Sequence, residues 1–133
     1  MNDNDKRKAA VQYFWQLAQD SLVSARREFE HDSFVFAVNR IYYAAFYAAS
    51  AALLERNLRF TKHAGVRSAL HKELVRPGLL ASNWGEFYDR VFENRQQGDY
   101  WPLVFFVSDD VKREIELCEA FLEAIRPLIR SLE

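Results

Sequence analysis

The segment Glu93 to Trp101, ENRQQGDYW, sets an arginine, an aspartate and a tyrosine within six residues at the end of an amphipathic stretch. A guanidinium can grip a phosphate or carboxylate through paired N–H donors, and a phenol can donate a hydrogen bond to the same group. Two further places carry polar chemistry. Asn39-Arg40 interrupts a run that is otherwise apolar on every side, and Arg40 shares a helical face with Phe36, Tyr43 and Tyr47. Lys62-His63 stands just before a short helical stretch, where an ammonium and an imidazole lie close to free backbone N–H groups. Each has a plain reading beside the chemical one. Arg95 in a last turn complements the helix dipole by on the order of a few tenths of a kcal/mol, and Arg40 can bridge to an acid on a neighbouring helix. The chemical reading has Arg40 and Arg95 converging on one anion. His31 reads as a solvated helix-end residue and His71 as facing water. No His, Cys, Asp or Glu grouping has zinc-ligand spacing, and there is neither a glycine-rich phosphate loop nor a nucleophile elbow. No metal or cofactor is expected.

These residues are positioned by helices. The 133 residues suffice for one domain spanning 1–133; they are 50% hydrophobic and 15% aromatic, with 4 glycines and 3 prolines, a poor composition for a turn-rich β fold. Lone Cys118 excludes an internal disulfide and suits a reducing cytoplasm. The amino terminus, MNDNDKRKAA, is too polar for a signal peptide. The most apolar run, Ile41 to Leu54, is 14 residues, short of the ~20 a membrane span needs. A net charge of −1 means that any grip on nucleic acid must be local or come from oligomerisation.

The periodicity predicts five helices and no strands. Val11, Phe14, Ala18, Leu22, Ala25 and Phe29 share one face of the first. Asp32 or Ser33 caps the second, which runs to about Asn57 and is apolar nearly all round. The third, short, carries Val66, Leu70 and Leu74 and stops at Arg76-Pro77-Gly78. Asn83 and Glu86 form a capping pair for the fourth, whose stripe of Trp84, Tyr88 and Val91 steps on to Arg95, with Gly98 as a left-handed C-cap. Ser108-Asp109-Asp110 starts the fifth, striped by Val111, Ile115, Cys118, Leu122, Ile125, Ile129 and Leu132, with Pro127 kinking or shortening its end. Short connections favour an all-α antiparallel bundle.

Asn39 onward reads NRIYYAAFYAASAALLERNLRFTKHAGV, and the fourth helix closes with FENRQQGDY. In that order these resemble the HEPN superfamily, in particular its small stand-alone bacterial and archaeal proteins, over about Phe34 to Leu122. Their pattern is an NRxYYAxFxAAxALL helix, a KHxGV segment and an FxxRxxxDY ending. The resemblance implies a bundle of four main helices plus a short one, often paired as a homodimer. Many such proteins are metal-independent ribonucleases of toxin–antitoxin, defence or stress systems, marked by an arginine, four to six residues, then a histidine. Others are toxins silenced by a partner nucleotidyltransferase, and in some pairs a tyrosine near that histidine receives the nucleotide.

Carried over, Arg95 matches the signature arginine, while Tyr100 fills the histidine's place. A phenol with a pKa near 10 is a poor general base at neutral pH, so Tyr100 would instead bond to phosphate, stack on a base or accept a modifying group, with His63 lending the proton shuttle. Arg40, Asn39, Lys62, Asp99 and Tyr43 are the expected nucleotide- or phosphate-binding positions. The expectation is a cytoplasmic HEPN component of a toxin–antitoxin, defence or stress system acting on RNA or nucleotides. The alternative is a non-catalytic nucleotide-binding or interaction module partnering a nucleotidyltransferase or antitoxin. A second R-x4-H string, Arg26 to His31, lies at the end of the first helix and is read as coincidence.

Overall fold

The computed structural model describes residues 1–100 and 106–133; the side chain of Tyr100 also lies outside the described residues. Helix α1 (Asp3–Glu30) opens with a capping box in which Asn2 accepts from the Asp5 amide at 2.8 Å. Helix α2 (Phe34–Glu55) is central and touches every other helix. Its alanines 44, 45, 48, 49, 51 and 52 are fully buried, and side chains this small let α1 lie along its length. Helix α3 (His63–Ala69) runs into a π turn, Leu70–Val75. Helix α4 (Ser82–Tyr100) and helix α5 (Ser108–Ile125) complete the bundle, and 3-10 turns at Arg126–Leu128 and Arg130–Leu132 follow. Pro127 sits in the first of these and ends α5, as its missing N–H requires.

Contacts along the helices run in opposite order for neighbours. Val35 meets Gly98 while Tyr42 meets Tyr88 and Phe92, so α2 and α4 are antiparallel. Arg26 reaches Glu119 and Gln12 reaches the Ser131 carbonyl, which sets α1 against α5. The expected all-α bundle of four main helices and a short one is the fold observed, with no strand among the described residues. Val11, Ile41, Tyr42, Leu70, Leu74, Phe87, Tyr88, Phe121 and Ile125 fill the core. Cys118 is buried there, its thiol donating to the Ile41 carbonyl, and burial pushes its pKa up, which leaves it inert.

Several cap expectations are corrected. Ser33 precedes α2 but its hydroxyl caps nothing, and Asp32 adopts a left-handed φ of 59° instead. Helix α4 begins one residue before Asn83, which therefore sits inside the first turn. Ser108 is likewise the first helical residue and caps nothing, Val107 standing at the N-cap, while Asp109 and Asp110 do lie in the first turn. Gly98 is no C-cap: α4 runs through it to Tyr100, and among the glycines only Gly78, at φ 86°, is left-handed. A Cβ at Gly98 would come 3.3 Å from Phe106, so close approach to that ring is what the small residue serves.

Candidate functional site

Arg95 is where the α4 stripe predicts it. Its side chain is only 16% exposed, with Cζ 5.3 Å from the Tyr42 ring centre and 5.6 Å from that of Tyr43. Both rings offer their negative faces to the cation. One Nη donates to the Tyr43 hydroxyl at 3.5 Å, the long limit of such a bond. Nε comes 2.9 Å from the Asp99 carboxylate one turn on, yet its N–H is not aimed at that oxygen, and among the described residues Nε is buried without a hydrogen-bond acceptor. Among the described residues the charge is thus partly balanced while a donor stays unused, which suits a group that receives a second anion.

His63 lies against the same aromatic wall. Its ring stacks on Phe46 with centres 4.5 Å apart, and Nδ1 is 2.6 Å from the Tyr42 hydroxyl. Burial first, and the Arg95 charge second, lower its pKa below the usual imidazole value, so the ring is neutral at pH 7. Tyr42 is fully buried, and burial lifts its phenol to about 12, so it stays protonated and serves as a hydrogen-bond partner. Helix α3 begins at His63, but the imidazole turns back onto the bundle and leaves exposed Lys62 alone at the N-cap.

Among the described residues Arg40 and Arg95 share no hydrogen bond or ion pair. Arg40 is exposed, bonds to Asn39 at 3.1 Å, and lines a groove of about 540 Å³ between α1 and α2 with Asn39, Tyr43, Tyr47 and Asp20. Tyr43 is the residue common to that groove and to Arg95. Asp99 and Tyr43 stand beside Arg95; Tyr100, whose backbone ends α4, carries a side chain outside the described residues.

Sequence reasoning missed Tyr42 as the inward member of its pair, and it missed a charged cluster that joins α3 and the π turn to α4. Arg67 Nε donates to Asp89 at 2.8 Å, an Nη lies 3.2 Å from Glu93, and the guanidinium sits 4.5 Å over Phe92. His71, expected to face water, is half-buried and lies 2.9 Å from the same Asp89 carboxylate. Against the burial that would raise it, bonds from His71 and Arg67 hold the Asp89 carboxyl below its usual range. The one available signal was the spacing of four in both Arg67/His71 and Asp89/Glu93. Among the described residues no group of acids, histidines and cysteines could hold a metal ion, and no helix is long and apolar enough to cross a membrane.

The class defined by fold and site is an all-α bundle with an arginine held over paired tyrosines at the end of its fourth helix. The HEPN domain family model matches residues 11–128, and the chain belongs to that family. It is 42% identical to a "UPF0332 protein" of Thermotoga maritima over the whole chain and 98% of that protein. It is 30% identical to "Putative toxin MJ0142" of Methanocaldococcus jannaschii over 93% of the chain and 84% of that protein. A second protein of that organism, "Putative toxin MJ0605", is 32% identical over 92% of the chain and 90% of its own length.

Proposed function

We propose that the chain is the HEPN component of a toxin–antitoxin pair and acts on RNA by holding a backbone phosphate at Arg95. The observation that carries this reading is the guanidinium itself. It is mostly buried, faces two phenol-bearing rings, and among the described residues keeps one buried N–H without an acceptor. A cation so placed stabilises negative charge that develops on phosphate better than a solvated one, because water screens it less. Relatives whose names carry the word toxin support the cellular role.

Proton transfer is the demanding part, since Tyr100 stands where related ribonucleases carry histidine. His63 supplies the imidazole. It is neutral at pH 7 and lies within the field of Arg95, with Nδ1 engaged by Tyr42 and Nε2 as the ring atom for substrate. The test is cleavage of an RNA oligonucleotide by the pure chain in EDTA. Arg95→Ala should lower the rate about 100-fold and His63→Gln by a similar factor; cleavage that survives Arg95→Ala unchanged refutes the assignment. A chain that binds RNA without cutting it would support the second reading, a module whose Tyr100 is modified by a partner nucleotidyltransferase, visible as a mass increment on the GDY peptide after co-expression. Exposed Tyr13 and Phe36 support pairing of two copies, to be read as a dimer mass by light scattering.

A further inference from the structure

A second cavity, of about 540 Å³, opens where the start of α1, the end of α2 and the closing 3-10 turns meet. Its lining includes Arg7, Lys8, Arg56 and Arg130, with Glu55 as its carboxylate. Thirteen residues of α2 separate Arg56 from Tyr43, about 20 Å along the helix, so this is not the Arg95 site.

What distinguishes the cavity is how its arginines are held. Arg7 donates to the side-chain carbonyls of Asn57 at 2.9 Å and Asn4 at 2.6 Å, and among the described residues its buried Nε has no acceptor. Arg56 donates to the backbone carbonyls of Leu128 at 3.1 Å and Ala52 at 3.4 Å. These partners orient the guanidiniums without cancelling their charge. Against the burial that would raise it, the bond from the Ser131 amide at 2.8 Å and the nearby charges of Arg7 and Arg130 hold the Glu55 carboxyl below its usual range, so it offsets part of their charge; among the described residues no carboxylate forms a direct ion pair with any of the four cations. Closing the end of α2 needs one cation on its last carbonyls, and Arg56 provides it; Arg7, Lys8 and Arg130 exceed that need. Among the described residues no aromatic ring lines the space, so none of them stacks a nucleobase there.

We propose that this cavity binds a polyphosphate chain, the di- or triphosphate group carried by a free nucleotide or by the 5′ end of an RNA. Several phosphates in a row match four cations around one space better than a single anion does. Recognition is of the phosphates and indifferent to the base.

The test is calorimetric titration of the full chain with inorganic tripolyphosphate, pyrophosphate and orthophosphate at matched ionic strength. Saturable binding is expected, strongest for tripolyphosphate, with ATP and GTP alike. Lys8→Glu and Arg130→Glu, both at exposed positions, should each weaken tripolyphosphate about tenfold, whereas Arg113→Gln, at an exposed position of α5 outside both sites, should leave it unchanged. At a hundredfold excess over Kd the ligand should raise the melting temperature by roughly 10 °C. Comparing ATP with RNA bearing a 5′-triphosphate or a 5′-hydroxyl identifies the source, and binding of either triphosphate supports the proposal. Absence of saturable tripolyphosphate binding, or binding indifferent to both charge reversals, overturns it. Loss of binding in Arg95→Gln also overturns it, by placing the ligand at the other site.

Discussion

Replacing Tyr42 with phenylalanine removes one oxygen from the centre of the bundle and tests whether its hydroxyl anchors His63. In the structure the hydroxyl is fully buried and 2.6 Å from Nδ1, and it is the partner that holds the imidazole against Phe46. Deleting it removes one hydrogen bond, worth about 1 kcal/mol, and leaves a half-buried ring nitrogen unpaired, which brings the cost to about 1–2 kcal/mol. For 133 residues, an unfolding entropy of ~2.1 cal/mol/K per residue converts each kcal/mol into about 3.6 °C, so the melting temperature should fall by roughly 4–7 °C. Tyr43→Phe is the control. Its bond to Arg95 is at the 3.5 Å limit on a partly exposed ring, so a loss of at most about 2 °C is expected. Calorimetry at pH 7.5 keeps His63 neutral throughout. Equal melting temperatures for the two variants, or a smaller loss in Tyr42→Phe, would refute the assignment of Tyr42 as the inward anchor of His63.

Three more outcomes are expected. His63 has its folded pKa held below the unfolded 6.5, so its neutral form contributes stability that is complete above pH 6.5 and is lost as pH falls through the folded value. The slope cannot exceed about 1.4 kcal/mol per pH unit and is smaller at this partly solvated site; His63→Gln should flatten melting temperature against pH in that window, and an unchanged slope would contradict the account. Among the glycines, Gly78→Ala should cost about 1 kcal/mol in chemical denaturation because its φ of 86° strains any side chain, although the space around it is open. Gly85→Ala gains about 1 kcal/mol of helix propensity but sets a methyl 2.7 Å from the His71 ring, so it should stabilise only when combined with His71→Ala.

The fold was legible because each helix writes its buried face at a spacing of three and four, and α2, apolar all round, could only be central. Arg95 was legible for the same reason: it extends a stripe. Which member of Tyr42-Tyr43 points inward was not, since a helix buried on most sides leaves no polar face to set its rotation. The Tyr42–His63 contact joins residues 21 apart across two elements, and no local pattern encodes it. Gly98 read as a C-cap because glycine at a helix end usually is one; here its place is set by Phe106, a neighbour in space. The π turn at Leu70–Val75 gives no periodic signal, and without it His71 appeared to face water.

The central claim, that Arg95 holds an RNA phosphate, is tested most directly by fluorescence anisotropy with a labelled single-stranded RNA at a series of salt concentrations, comparing wild type with Arg95→Gln. The account predicts at least tenfold weaker binding by the variant, with the slope of log affinity against log salt reduced by about 0.7, the loss of one phosphate contact. Identical affinity and identical slope would mean that the guanidinium serves only the packing of Tyr42 and Tyr43.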